Sequence, residues 1–306
     1  MRILVTGGAG FIGSHIVDTY LAAGHSVAIV DNLSTGRREH VNPRARLYTV
    51  DLGAPDALAE VFAREQPQVV SHQAAQKSVR ISVEDPAADA TINIVGSLHL
   101  LEQCRRHGVE HIIFASTGGA IYGDVNVIPT PEDHPAWPVS PYGIAKLTAE
   151  HYLYFYHHQY GIPYTALRYA NVYGPRQDPH GEAGVVAIFV ERLLAGDSVT
   201  IFGDGEQTRD YVYVGDVAAA NLRALETRAP GPFNIGTGVE TSVNTLYHAL
   251  EQAIGIDRPA SYAPARPGEQ QRSAVDARHA AQTLGWEPQL SLADGLRRTV
   301  EAFRLG

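Results

Sequence analysis

The chain has 306 residues, of which 44% are hydrophobic and 19% charged, so it can bury a sizeable core as one large domain or two unequal ones. Its formal net charge of -9 argues against nucleic acid or an anionic membrane as the main partner. A single cysteine, Cys104, excludes an intrachain disulfide, and the lack of a signal peptide or a long apolar span leads us to expect a cytoplasmic protein.

The chain begins with a predicted strand, a glycine-rich turn, a helix and a second strand. Gly7 would permit a tight turn, Gly10 would let the backbone approach a diphosphate, and Gly13 would let the helix pack closely on a sheet. Asp31 ends the second strand, where it would bind ribose hydroxyls and repel a 2′-phosphate, so the pattern predicts NAD rather than NADP. Two arginines at 37 and 38 weaken that preference, and the alternative is a structural glycine turn with an incidental Asp.

Two further predicted strands, at 46–50 and 68–72, end in segments that could line the same cofactor. Asp51 could flank the adenine or serve as a turn or N-cap residue, and Lys77 could reach a diphosphate or be a solvated loop lysine. Cys104 lies on the apolar face of a predicted helix at 89–107, which is typical of a core thiol. The candidate cofactor-binding residues of this half are Gly7, Gly10, Phe11, Ile12, Gly13, Asp31, Asn32, Asp51, Leu52, Ala74, Ala75 and Lys77.

A tyrosine and a lysine at helical spacing are the candidate chemical centre. Tyr142 and Lys146 lie four residues apart at the start of a predicted helix at 142–161. A lysine cation, together with a nearby cationic cofactor, would lower the tyrosine pKa toward neutrality, so Tyr142 could take a proton from a substrate hydroxyl. Ser116 and Thr117 follow the predicted strand 111–115, where they could bind a reacting oxygen or only cap or turn the chain.

The second half of the chain alternates less regularly between strands and helices. Its separated loop arginines, Arg176, Arg209 and Arg266, suggest a second, phosphorylated ligand, because planar guanidinium groups suit phosphate oxygens. We therefore predict an α/β Rossmann fold with a doubly wound parallel sheet, formed by residues 1–170 with 215–238 returning to it. Residues 171–306 would mostly form a smaller α/β substrate-binding domain, and no metal ligand set is predicted.

This ordered set of motifs resembles the extended short-chain dehydrogenases/reductases of the NAD-dependent epimerase/dehydratase family, and is most similar to the UDP-glucose 4-epimerases. The resemblance covers the chain from Met1 to the C-terminal helices. It implies that Tyr142 is the base, with Lys146 as its pKa-lowering partner and ribose ligand. It also implies further cofactor-side and nucleotide-side residues: Lys77, Asn93 and Tyr169 for NAD, and Asn171, Phe202, Arg209, Arg266 and Glu269 for the UDP part of the substrate.

One departure from the family concerns the catalytic hydroxyl. The usual Ser/Thr position, counted back from Tyr122-Gly123, is Gly118 here. A local lengthening by one glycine makes Thr117 the predicted catalytic hydroxyl, also in contact with substrate, with Ser116 as the reserve. Dehydratases carry an Asp-Glu pair after this position and UDP-glucuronate decarboxylases a Glu, whereas residues 118–120 contain no acid, so elimination is disfavoured.

The resemblance implies 4-epimerisation of UDP-glucose and UDP-galactose through a transient 4-keto sugar, in a homodimer formed by helices 89–107 and 142–161. Ser273 matches a sugar-pocket position that is a bulky Tyr in enzymes excluding N-acetylated sugars, so the N-acetylated pair is also expected to fit. The alternatives are another sugar-nucleotide epimerase or reductase, acting on UDP-glucuronate or a dTDP-sugar, and a catalytically idle NAD-binding regulator. The intact Tyr142/Lys146 pair argues against the idle regulator.

Overall fold

The computed structural model describes residues 1–180, 184–265 and 270–305. Within them a seven-stranded parallel sheet has helices on both faces, as the sequence predicts. The strands are β1 Arg2–Thr6, β2 Ser26–Asp31, β3 Arg46–Thr49, β4 Val69–His72, β5 His111–Thr117, β6 Tyr164–Tyr169, β7 Asn171–Tyr173, β8 Thr200–Phe202, β9 Thr208–Arg209, β10 Tyr211–Tyr213, β11 Gly231–Ile235, β12 Thr241–Ser242 and β13 Ser261–Ala263.

The described residues form eleven α-helices. They are α1 Phe11–Ala22, α2 Pro55–Glu65, α3 Val79–Glu84, α4 Pro86–Ala90, α5 Gly96–Arg106, α6 Pro141–Tyr160, α7 Val185–Ala195, α8 Val214–Thr227, α9 Val243–Ile254, α10 Arg278–Leu284 and α11 Leu292–Leu305. A 3₁₀ turn covers Arg38–His40 and a π-helical turn covers Thr91–Val95. None of these helices is long and apolar enough to cross a membrane.

The sheet order is β11-β6-β5-β4-β1-β2-β3, and every neighbouring pair is parallel. Strands β2 and β4 flank β1 on opposite sides, so the chain reverses its winding direction there. In open α/β sheets such a reversal leaves a crevice at the carboxyl ends of the strands, where ligands bind. The candidate residues that follow β1, β2, β4 and β5 all lie along this edge.

Two apolar layers cover the faces of the sheet. One packs α1, α8 and α10 against residues such as Val5, Ile29 and Leu167, and the other packs α2, α5 and α6 against residues such as Leu4, Val70 and Ile112. The strands of the first half are continuously apolar because both of their faces are buried. A third cluster joins α7, α9 and α11 in the second half of the chain, and β11 returns from that half to pair with β6.

The predicted single helix at 89–107 is interrupted. Helix α4 ends at Ala90, the π-helical turn follows, and α5 begins at Gly96. The Ser97 hydroxyl donates to the carbonyl of Asn93 across this turn. Side-chain bonds back to the preceding turn bend helices, and this one is invisible to a periodicity argument. Strand β5 also runs two residues further than predicted, so Ser116 and Thr117 are its last two residues.

Candidate active site

The glycine turn after β1 is held tightly against its surroundings. Gly7 has a φ of +67°, and a Cβ there would lie 2.7 Å from the backbone nitrogen of Ala74. A Cβ on Gly13 would lie 2.1 Å from the carbonyl oxygen of Gly7, so only glycine lets the first turn of α1 approach the loop this closely. Gly10 is the N-cap residue, and Phe11 and Ile12, both partly buried, begin the helix. This arrangement presents helix-start N–H groups at the crevice, as an anion site requires.

Asp31 is fixed at the carboxyl end of β2. One carboxylate oxygen accepts from the Ala9 N–H of the glycine turn at 3.0 Å and the other from the Leu33 N–H at 2.8 Å. The side chain is buried, so its direction toward the crevice is set by the backbone on both sides. Of the two nearby arginines, Arg37 is paired with Glu39 and Asp178 at 3.9 and 3.7 Å.

Asp51 is a turn residue and not the N-cap. Its carboxylate accepts from the Gly53 N–H at 2.7 Å and from the Asn32 amide at 2.6 Å, whereas the N-cap of α2 is Ala54. The carbonyl of the adjoining Leu52 bonds His99 of α5 at 2.9 Å. These contacts tie the ends of β2 and β3 to each other on the side of the crevice where an adenine would lie.

The loop after β4 is organised by residues that sequence reasoning missed. The Thr6 hydroxyl oxygen accepts from the N–H groups of Gln73 and Ala74 at 3.2 Å and bonds His72 at 2.7 Å. His72 also bonds Ser97 at 2.9 Å, and its burial lowers its pKa to about 3, so the ring stays neutral. The sequence feature that could have indicated this arrangement is His72 itself, a polar residue at the end of an apolar strand. Ala75 is partly buried and Lys77 is exposed in this loop.

Asn93 and Tyr169, both expected on the cofactor side, have their polar atoms engaged within the chain. The Asn93 amide donates to the Gln76 carbonyl and to Asp89, and its oxygen accepts from the Gln76 N–H, at 2.9–3.0 Å. The Tyr169 hydroxyl bonds Gln73 at 3.3 Å and Asn221 at 2.8 Å. These two residues therefore shape the 73–76 loop.

Lys146 is buried beneath the crevice and points at the end of β5. Its Nζ donates to the Ala115 carbonyl at 2.8 Å and lies 4.8 Å from the Phe114 ring centroid and 5.9 Å from that of Tyr142. Ser140 caps α6 through the Gly143 N–H and Pro141 occupies its first turn, which places Tyr142 at the mouth of the crevice. The Tyr142 hydroxyl makes no hydrogen bond within the described residues.

The lowering of the Tyr142 pKa that we expect from Lys146 together with a cationic cofactor is not present in the chain without a cofactor. Burial raises the pKa of Tyr142 to about 12, and the charge of Asp89 acts in the same direction. Burial also lowers the pKa of Lys146 to about 8, opposed by the carboxylates of Asp89 and Glu150. The expectation considered the lysine charge but not the desolvation of the phenolate, which is the larger effect here.

The hydroxyls of Ser116 and Thr117, at the end of β5, differ in their hydrogen bonding. The Ser116 hydroxyl donates to Glu150, whose carboxylate also binds Arg168 at 2.7 and 3.0 Å. The Thr117 hydroxyl makes no hydrogen bond to any described residue. Ser116 is thus bound into a buried ion-pair network, and Thr117 is the hydroxyl available to a ligand.

The first glycine after Thr117, Gly118, leaves no space for a side chain. A Cβ on Gly118 would lie 2.7 Å from Val275 and 3.1 Å from the Arg168 carbonyl oxygen. A Cβ on Gly119 would lie 3.4 Å from the Asn171 side-chain oxygen, which places Asn171 beside this turn. The turn at 118–119 therefore brings no acidic side chain to the end of β5.

The remaining candidates come from the second half of the chain. Phe202 ends β8, Arg209 ends β9 and donates to the Thr208 carbonyl at 2.8 Å, and Ser273 is buried. Arg266 and Glu269 lie outside the described residues. Arg176 pairs with Asp18 of α1 at 2.8 Å, so the structure does not support its expected role on a phosphorylated ligand.

Asp210, between Arg209 and Tyr211, is a residue to which the sequence analysis assigned no role of its own. It is buried, its pKa is raised by burial, and its carboxylate accepts from the N–H groups of Thr237, Gly238 and Val275 at 2.8–3.3 Å. It joins three separate segments next to Arg209. Asp210 lies between β9 and β10, and the sequence signal for it was an acid directly after a candidate arginine.

Residues 3–236 match the sequence model of the NAD dependent epimerase/dehydratase family. A putative UDP-glucose 4-epimerase of Methanocaldococcus jannaschii is 49% identical over 97% of each chain. A crystal structure of a Thermotoga maritima UDP-glucose 4-epimerase with UDP-glucose is 54% identical, with a TM-score of 0.97 over 100% of this chain and 99% of that chain. A Thermus thermophilus UDP-glucose 4-epimerase in complex with NAD is 49% identical, with a TM-score of 0.94 over 99% of each chain.

Proposed function

The chain belongs to the NAD-dependent epimerase/dehydratase family, and we propose that it interconverts UDP-glucose and UDP-galactose as an NAD-dependent isomerase. One observation carries the proposal. Thr117 ends β5, whose Ala115 carbonyl accepts from the buried Lys146, and Tyr142 lies one turn before Lys146 on α6. The hydroxyls of Thr117 and Tyr142 are unbonded within the described part of the chain, and the glycine turn at 118–119 carries no acid. This set suits removal and return of a hydroxyl proton, not elimination of water.

NAD fits the crevice as the chain shapes it. The glycine turn leaves Cβ-free space in front of the start of α1, where a diphosphate would meet N–H groups. The buried Asp31 carboxylate, held by two backbone N–H groups, would bind the adenosine ribose and oppose a 2′-phosphate. Residues 1–170, with 215–238, would hold this cofactor, with Lys77, Tyr142 and Lys146 on its ribose and diphosphate side. When bound, NAD would supply a reversible hydride acceptor and a positive charge near Tyr142.

Tyr142 takes the proton of the sugar 4-hydroxyl, and Thr117 donates a hydrogen bond to the same oxygen as it becomes a carbonyl. Lys146 stabilises the phenolate as it forms. Because the chain alone leaves the pKa of Tyr142 at about 12, the cofactor charge is needed before the phenol can act as a base near neutrality. The 4-keto sugar turns over about its phosphate linkage, and Tyr142 returns the proton after the opposite face is reduced.

This mechanism requires a fixed nucleotide and a loosely held sugar. Residues 171–306 would mostly provide the nucleotide site, with Asn171, Phe202 and Arg209 on the UDP part and Arg266 and Glu269 expected from the resemblance. Ser273 has a small, buried side chain, which would leave room for a 2-acetamido group. We therefore extend the proposal to the N-acetylated pair of UDP-sugars.

We also propose a homodimer. Four large apolar side chains are between 37% and 48% exposed on the 91–95 turn and on α6: Ile92, Val95, Tyr152 and Phe155. Exposed apolar residues on two neighbouring helices are typical of a helix–helix interface between subunits. The pair of helices expected from the resemblance carries this surface.

The proposal is tested by incubating the purified chain with UDP-galactose, without added NAD, and identifying the products. We expect UDP-glucose to form until the two sugars reach equilibrium. A dehydrated or decarboxylated product, or no product when NAD is also supplied, would contradict the proposed reaction. UDP-N-acetylglucosamine in a parallel reaction tests the wider substrate range, and Ser273→Tyr should remove that activity selectively.

A further inference from the structure

Asp89, on α4, is a buried carboxylate that the proposed reaction does not use. The residue is 1% exposed. One of its oxygens accepts from the Gln76 and Asn93 side-chain amides, each at 2.9 Å. The other oxygen is buried and has no hydrogen-bond donor among the described residues. A carboxylate held in one place with half of its bonding capacity unused is unfavourable unless a nearby charge compensates it.

Within the described ranges, the element that brings a buried cation near Asp89 is α6. Helix α4 and the π-helical turn after it pack against α6, which contributes Tyr142 and Lys146 to the site. On α3 the charged residues Arg80 and Glu84 are exposed and lie 3.7 Å from each other, and Lys77 is exposed. His72 is neutral, and Glu150 is committed to Arg168. Among the described residues, Lys146 is therefore the buried cation carried by the helix that packs against α4.

We propose that Asp89 is a positioning residue that acts through Lys146, its buried carboxylate being the counter-charge that keeps Lys146 an ammonium in the desolvated site. Gln76 and Asn93 hold the carboxylate in place by their two hydrogen bonds. The consequence for catalysis rests on the proposed function of Tyr142 and Lys146, but the charge state of Lys146 does not.

The pKa directions agree with this geometry. Burial lowers the pKa of Lys146 to about 8, and Asp89 is the largest influence that raises it. Without that carboxylate the pKa would fall further, and the lysine would lose its charge closer to neutral pH. The same carboxylate raises the pKa of Tyr142. Removing the charge of Asp89 should therefore lower both pKa values together.

The chain allows a direct measurement, because Lys77 and Lys146 are its only lysines. Lysine labelled with ¹³C at Cε gives one NMR signal for each of the two side chains, and the Lys77→Arg variant assigns them. The pKa of each lysine is then read from a pH titration of the NAD-loaded chain. Asp89→Asn keeps an acceptor for Gln76 and Asn93 and removes the charge. Asp85→Asn is the matched control, because Asp85 is an exposed N-cap of the same helix and Asn caps equally well.

We expect the Lys146 pKa to fall in Asp89→Asn and to stay unchanged in Asp85→Asn, with Lys77 unaffected in both. Asp89→Ser, which removes the charge within a smaller volume, should give the same fall and serves if the Asn variant does not fold. An unchanged Lys146 pKa in a folded Asp89 variant overturns the proposal.

The pH profile of epimerisation separates this proposal from the proposed function. If the chain epimerises UDP-sugars, both limbs of the profile should move to lower pH in Asp89→Asn and not in Asp85→Asn. A lowered Lys146 pKa in a chain without epimerase activity would support the counter-charge and contradict the proposed function. Epimerase activity with an unchanged Lys146 pKa in Asp89→Asn would support the proposed function and contradict the counter-charge.

Discussion

The last three residues of β5 differ in the contacts that they make. The Ala115 carbonyl accepts from Lys146, the Ser116 hydroxyl donates to Glu150, and the Thr117 hydroxyl has no partner among the residues that the structure describes. A one-residue error in aligning this strand would exchange a buried anchor for the proposed catalytic group.

Thr117→Val should lower kcat by about 10²-fold, because a donor to the developing charge on the 4-oxygen is lost while the shape is kept. Ser116→Ala should lower it far less, since Glu150 retains both bonds from Arg168. The measurement is steady-state epimerisation by both variants with UDP-galactose. The opposite order of effects would assign the catalytic hydroxyl to Ser116.

Lys146→Met should abolish activity and should remove the pH dependence of stability that the buried Lys146 ammonium causes. The folded pKa of Lys146, about 8, lies below its ordinary value of 10.5, so folding disfavours the protonated form. That cost is fully present below pH 8 and disappears as the pH rises above 10.5, so the parent chain should gain stability over this interval and the variant should not. Urea unfolding at several pH values measures it, with the exposed Lys77→Met as control. A pH-independent difference would exclude the buried charge as its cause.

The residues that spacing alone revealed are those with a distinctive pattern, such as the glycine turn, Asp31 and the Tyr142/Lys146 pair. The sequence could not reveal that burial would raise the pKa of Tyr142, because desolvation depends on which helices cover the residue. Nor could it show that the Asn93 amide would be used by Gln76. Asp89 carries no motif of its own and is recognisable only from its unpaired oxygen.

At the scale of elements, a buried ion pair joins the catalytic helix to the sheet. Glu150, one turn after Lys146 on α6, binds Arg168 of β6 at 2.7 Å, and Arg168 also donates to Tyr122 at 2.9 Å and to the Glu132 carbonyl at 3.2 Å. This network connects α6, β6 and the loop that precedes Tyr142. It fixes the helix relative to the strand end that carries Thr117.

Glu150→Gln should lower the free energy of unfolding by about 3 kcal/mol, because Arg168 is then left buried without its carboxylate. Glu110→Gln, at an exposed pair with Arg228, is the matched control and should change stability little. Chemical denaturation compares the two. Equal effects of the two substitutions would mean that the buried pair does not hold α6 in place.

Which helices and strands could be predicted from the sequence depended on whether their signals are local. Long apolar strands and the capped helix α6 were predictable because their signals are local. The short strands β7 and β9 depend on contacts with distant segments. Strand β7, for example, exists through its pairing with β10, across 40 positions of sequence by their first residues.

At the scale of the whole molecule, the two halves of the chain would divide the cofactor and the nucleotide between them, and two copies would share the apolar surface on the 91–95 turn and α6. Phe155→Glu should convert the dimer to a monomer, because a charge would be buried among apolar side chains. Val239→Glu, at an exposed apolar residue elsewhere, should not. Sedimentation analysis of both variants gives the mass, and a monomeric parent chain would contradict the dimer.

In the proposed reaction, one retained cofactor oxidises and then reduces the sugar at C4. The most direct test uses UDP-glucose carrying deuterium at C4, incubated with the chain and excess unlabelled NADH in solution. We predict UDP-galactose that retains the deuterium at C4, because the hydride removed from one face is returned to the other before the cofactor leaves. Loss of the deuterium to the solvent or to the NADH pool, with epimerisation still occurring, would contradict the claim.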